Sequence, residues 1–108
     1  MRRLWQAVLI VFLVAAPAFA RQVSEWRSTS GSQVTMLGTE NMNFQIQIVS
    51  PNGQSFVYDA WWIEVRNSFG YRAQGKEYRC TYTNKGWSIL ARHRNEQYRW
   101  DFVRWISK

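Results

Sequence analysis

Met42-Asn43-Phe44-Gln45-Ile46-Gln47-Ile48-Val49 is the stretch whose reading decides the fold class. Met42, Phe44, Ile46 and Ile48 alternate with Asn43, Gln45 and Gln47. A period of two puts the apolar set on one face of a strand and the amides on the other. Ser50-Pro51-Asn52-Gly53 follows. Pro51 presets the first turn position and Gly53 can take positive φ, which fits a three-residue hairpin loop with a bulge. Pairing Ser50 with Gln54 then sets Ile48 against Phe56, Ile46 against Tyr58 and Phe44 against Ala60. Apolar meets apolar along the whole ladder, so this register is self-consistent. Beyond Ala60 the apolar parity changes to Trp61, Ile63 and Val65, which predicts a bulge or corner. A short helix capped by Asp59 is the competing reading there.

The same logic extends outward in both directions. Trp26 marks an early strand, and Val34 with Met36 marks a second after the Ser28-to-Ser32 turn cluster. Tyr78, Cys80 and Tyr82 alternate with charged and hydroxyl residues. Trp87, Ile89, Ala91 and His93 do so again, and Tyr98, Trp100 and Phe102 once more. Residues 21–108 contain only two Leu but many Val, Ile, Thr, Tyr and Trp, a strand composition. Seven to eight short strands at roughly ten-residue spacing predict an all-β domain, a small antiparallel β-barrel or β-sandwich joined by hairpins. Over 95–106 a helix competes, because Tyr98, Phe102, Trp105 and Ile106 share helical spacing behind Asn95. Arg99, Trp100 and Val103 spoil that face, and strand is the reading taken.

The first twenty residues read as an address. Arg2 and Arg3 precede an apolar run from Ala7 to Ala16, Pro17 breaks it, and Ala18-Phe19-Ala20 offers a small-residue cleavage site. The run is shorter than the ~20 residues a spanning helix needs. We therefore expect a cleaved signal peptide at 1–20, one β-domain at 21–108, and a secreted or periplasmic protein. Cleavage would lower the formal net charge from +7 to +5. A basic chain with 17% aromatic residues is no acidic disordered tail. One Cys excludes an intrachain disulfide, and with a single His it excludes a Cys/His zinc cluster. No cofactor or metal is expected, and Cys80 is expected buried.

Register also places the charges. Matching apolar faces across Lys85-Gly86 pairs Tyr82 with Ile89, Cys80 with Ala91 and Tyr78 with His93, and outside them Arg79 with Arg92 and Glu77 with Arg94. Extending the match to the last strand pairs His93 with Tyr98, Ala91 with Trp100 and Arg92 with Arg99. Arg79, Arg92 and Arg99 would then form a row across three strands. Opposed like charges destabilise a sheet, so the row is either a solvated face near Glu77 and Asp101 or an anion-binding strip. A planar guanidinium fork suits carboxylate or phosphate. Trp61 and Trp62 point to opposite faces, and an exposed indole can stack on sugars or bases. The bland reading is that the tryptophans simply build core and rim.

Catalytic chemistry is thin. His93 falls on the inner face, diagonal to Cys80 and expected to bond a Tyr hydroxyl. The acids are too scattered for a glycosidase pair, and His93, Glu96 and an arginine carry no ribonuclease signature. The expectation is a non-enzymatic, exported β-domain binding an anionic polymer or envelope component through a basic aromatic face. Its partners would be anionic polysaccharide, peptidoglycan or lipid headgroup, with nucleic acid ranked below them. The alternative is a protein–protein module, a secreted-enzyme inhibitor or an envelope-complex subunit, since interfaces favour the same Trp, Tyr and Arg.

Overall fold

The computed structural model describes residues 21–108, so the expected leader lies outside the described residues. Eight strands follow in chain order: β1 (Val23–Ser28), β2 (Gln33–Leu37), β3 (Asn43–Val49), β4 (Ser55–Glu64), β5 (Ser68–Ala73), β6 (Lys76–Thr83), β7 (Ser88–His93) and β8 (Glu96–Ser107). Each pairs antiparallel with the next, and β8 returns to β1 to close a barrel. The barrel is thus formed rather than the sandwich, and 95–106 is strand rather than helix. Among the described residues the only helical element is one turn at Asn84–Gly86. Closure leaves no strand edge unpaired, which removes the template for edge-to-edge aggregation.

The β3–β4 ladder forms with the expected pairs, Ile48 with Phe56, Ile46 with Tyr58 and Phe44 with Ala60. Its loop behaves as its residues dictate. Ser50 N donates to Gln54 O at 2.8 Å, and Gly53 sits at φ 92°. The irregularity in β4 comes only after Trp62, so the expected parity change at Ala60 does not occur: Trp62 stays on the inner face with Ala60, while Ile63 and Val65 are exposed. Pairing with β5 shifts between Trp62 and Glu64, leaving Ile63 unpaired and outward. Two comparable shifts in the β1–β8 seam leave Val103 and Ile106 without partners.

Alternation turns one side chain in two toward the axis. An eight-stranded barrel is just wide enough for side chains to fill it, and here rings do the filling. Phe69, fully buried, is the hub: its ring centroid lies 5.4 Å from Phe44, 5.7 Å from Trp62, 6.1 Å from Tyr82 and 6.2 Å from Trp100. Val34, Met36, Ile46, Cys80 and Ile89 complete the packing around it. Cys80 is buried as expected.

A meander sends its turns alternately to two ends. Turns 29–32, 50–54, 74–75 and 94–95 share the far end. Turns 38–42, 65–67 and 84–87 share the terminal end with Arg21 and Lys108.

Candidate functional site

The β6–β7 hairpin has the expected register, with Arg79 opposite Arg92, Cys80 opposite Ala91 and Tyr82 opposite Ile89. Its four-residue connection is possible because Asn84, Lys85 and Gly86 all take positive φ. Arg79 and Arg92 therefore stand side by side on the outer wall, both exposed. Among the described residues neither makes an ion pair; Arg92 Nε donates to Gln97 Oε1 at 2.9 Å.

The third member of the expected row is elsewhere. The β7–β8 turn contains only Arg94 and Asn95, and His93 pairs with Glu96 rather than Tyr98. Every β8 residue is displaced by two positions from expectation, so Arg99 faces Leu90 and Ala91 faces Tyr98. Arg99 instead holds Asp101 in a two-pronged pair, Nε to Oδ1 at 3.0 Å and Nη2 to Oδ2 at 3.3 Å. A two-residue slip keeps every side chain on its own face, so the alternation that revealed the strands could not detect it.

The row continues in the other direction. Arg79 pairs with Gly70 on β5, and Gly70 pairs with Trp61 on β4. Trp61 faces outward and its indole packs against the bare backbone of Gly70. A Cβ built on that glycine would fall 2.7 Å from the six-membered ring. Arg72 adds its guanidinium 5.9 Å from the same ring, while bonding Glu77 at 3.1 Å. Trp61, Gly70, Arg79, Arg92 and Gln97 thus run across five adjacent strands, an indole at one end and two unneutralised forks at the centre. Glycine inside a strand marks the close approach of another group, so Gly70 was a readable signal for this platform. Arg72 and Gln97 carried no such mark.

Trp62 does not belong to the exposed face. It points inward at 6% exposure, stacks on Tyr82 and donates from Nε1 to Thr39 O at 3.1 Å. A buried indole N–H needs an acceptor, and the 38–42 turn supplies one.

A second polar cluster lies at the far end. Tyr78 Oη donates to Glu96 Oε1 and Lys76 Nζ to Glu96 Oε2, both at 2.7 Å. The Lys76 and Tyr78 hydrogen bonds hold the Glu96 carboxyl below its ordinary range. His93 does not bond a tyrosine hydroxyl; Nδ1 meets Glu77 O at 2.9 Å, and its ring stands 5.5 Å from Tyr78. Both Glu96 oxygens are thus engaged by neighbouring donors. Burial pushes the Cys80 thiol well above its usual pKa, which is the reverse of what a nucleophile needs.

No known protein family, curated protein or solved structure matches this chain. Its chemistry must be read from the barrel itself. Among the described residues no group of three or more His, Cys, Asp or Glu side chains is arranged to hold a metal ion.

Proposed function

We propose that this chain is an exported, non-enzymatic β-barrel that binds an anionic polymer of the cell envelope along its outer wall. The reading rests on one observation: Arg79 opposes Arg92 without an ion pair, beside an indole packed against Gly70. Opposed cations cost stability unless something neutralises them. A polymer of acidic sugars carries both the carboxylates that guanidinium forks take bidentately and the ring faces that stack on indole. The strip crosses five strands of a closed sheet, so its spacing is held by backbone ladders rather than by loops. Such preorganisation lowers the entropic cost of binding. Trp61, Arg79 and Arg92 are the binding residues, with Arg72 holding the indole in place. Arg99 and Trp62 have no part in the strip.

Heparin, a soluble acidic polysaccharide, is the probe that tests it. Retention on immobilised heparin should fall steeply with salt. For a counterion-condensing polyanion, Arg92→Ala should flatten the log–log salt slope by about one, and Arg79→Ala with Arg92→Ala by about two. Trp61→Ala should weaken binding without changing that slope. Failure to bind at low salt ends the proposal. Binding of a purified envelope protein that persists at about 0.5 M NaCl, where screening is short-ranged, would replace it with the interface reading.

A further inference from the structure

Most of the exposed large apolar side chains gather at one end of the barrel. Met42 is 59% exposed, Val65 58%, Trp87 60% and Trp105 43%, with Ile63 and Ile106 beside them. All belong to the terminal end, on the turns at 38–42, 65–67 and 84–87 or among the last residues of β4 and β8. Hydrogen bonds between consecutive turns and strands hold the rim together. Gly38 N donates to Gln22 O, Trp62 N to Met42 O, Tyr82 N to Asn67 O and Phe102 N to Trp87 O. Phe102 is flanked by Trp87 at 5.5 Å and Trp105 at 6.0 Å, so the two exposed indoles share one aromatic floor.

The packing needs of the core do not account for this rim. Val103 and Ile106 are the residues bulged out of the β1–β8 seam, and Ile63 is bulged out of the β4–β5 ladder. The bulges put apolar side chains into water where polar ones would cost nothing. Cations stand among them: Arg66 at φ 63° in the 65–67 turn, Lys85 at φ 57° in the 84–87 turn, and Lys108, whose ammonium lies 5.1 Å from the Trp105 ring. Among the described residues none of these three makes an ion pair. Arg66, Lys85 and Lys108 outnumber the exposed rim carboxylates Glu40 and Glu64, and indoles and aliphatic tips interleaved with this excess of Lys and Arg match the chemistry of an anionic bilayer interface. The barrel wall bears Gln45, Asp59, Arg72 and Arg79 outward, the reverse of the apolar band a membrane-spanning barrel presents. A wall of this kind leaves only the end of the barrel suited to lipid.

We propose that the terminal end docks the barrel end-on to an anionic lipid bilayer, with Trp87 and Trp105 in the headgroup layer and Arg66, Lys85 and Lys108 on lipid phosphates. This goes beyond the polymer-binding reading and uses none of its residues. Barrel docking would leave the Trp61–Arg79–Arg92 strip upright on the wall, free for a polymer.

The test uses the protein purified in the form the cell accumulates, with vesicles of phosphatidylglycerol and phosphatidylcholine at equal parts and of phosphatidylcholine alone. We expect cosedimentation with the anionic vesicles and at least tenfold less with the neutral ones. Trp87→Ala with Trp105→Ala should lower binding about tenfold. Lys85→Gln with Lys108→Gln should lower it on anionic vesicles only. Brominated lipid should quench the wild type, and the quenched fraction should fall in Trp87→Phe and Trp105→Phe but not in Trp61→Phe. These exposed sites tolerate substitution, and circular dichroism verifies the fold. The Arg79→Ala, Arg92→Ala variant should keep vesicle binding while losing heparin, so either proposal can fail alone. Absence of vesicle binding, or binding indifferent to the rim variants, overturns docking. So does a dimer that the rim variants dissolve while vesicles remain unbound.

Discussion

At the residue scale the unusual choice is Gly70. A strand interior normally disfavours glycine, which forfeits side-chain packing and loses more backbone entropy on folding. Here its bare backbone is the floor on which Trp61 rests, with Arg72 beside the ring and Arg79 on the next strand. Gly70→Ala should lift the indole off the sheet. Because Trp61 can swing toward solvent, the stability cost should be small, about 1 kcal/mol, while heparin affinity should fall as in Trp61→Ala. Urea denaturation and heparin retention on one preparation separate the two effects. A Gly70→Ala protein with wild-type heparin affinity would show that the indole packed on Gly70 is not part of the site. Ser68 is the residue-scale feature without an explanation: among the described residues its buried hydroxyl has no hydrogen-bond partner.

At the scale of the element, the β7–β8 hairpin shows which information periodicity carries. Tyr98, Trp100 and Phe102 were legible as the apolar face of a strand, and they do line the inside or its mouth. Which residue opposes which was not legible, because the ladder can slide by two with every face preserved. The two-residue turn at Arg94-Asn95 settles it, with Arg94 forced to φ 54°. An L-residue with a Cβ pays roughly 1–2 kcal/mol in that region. Arg94→Gly should therefore stabilise the hairpin by about 0.5–1 kcal/mol after glycine's own entropy is counted. Denaturation midpoints of the two proteins measure it directly. A destabilised Arg94→Gly variant would mean that the arginine makes contacts outweighing its backbone strain. The β3–β4 hairpin had no such ambiguity, since Pro51 and Gly53 announce the loop and its length.

On the scale of the whole molecule, the barrel substitutes rings for leucines and tyrosines for part of its core. Tyr71, Tyr78 and Tyr82 are buried or half-buried, and desolvation raises all three phenol pKa values above 10.0, reinforced for Tyr78 by its bond to Glu96. The unfolded chain ionises these phenols near pH 10 while the folded barrel keeps them neutral. Their contribution is thus complete below about pH 10 and is lost as pH rises toward the folded values. Unfolding free energy should drop steeply above pH 10, and Tyr71→Phe should make the drop shallower. A stability curve flat across that range would contradict the burial of these side chains.

Alternation along the chain was enough, by itself, to establish an all-β domain and the inward placing of Cys80 and the core rings, because period two depends only on neighbouring residues, whereas the Arg79–Arg92 pair also needed the length of the turn at Lys85-Gly86. The tertiary structure decided what lies beyond that: barrel over sandwich, the sliding of β8 that takes Arg99 out of the row, the burial of Trp62, and the apolar rim at one end. Those depend on how turns of particular length close and how β8 meets β1. Such pairings join residues far apart in sequence, and a two-residue shift leaves their local pattern unchanged.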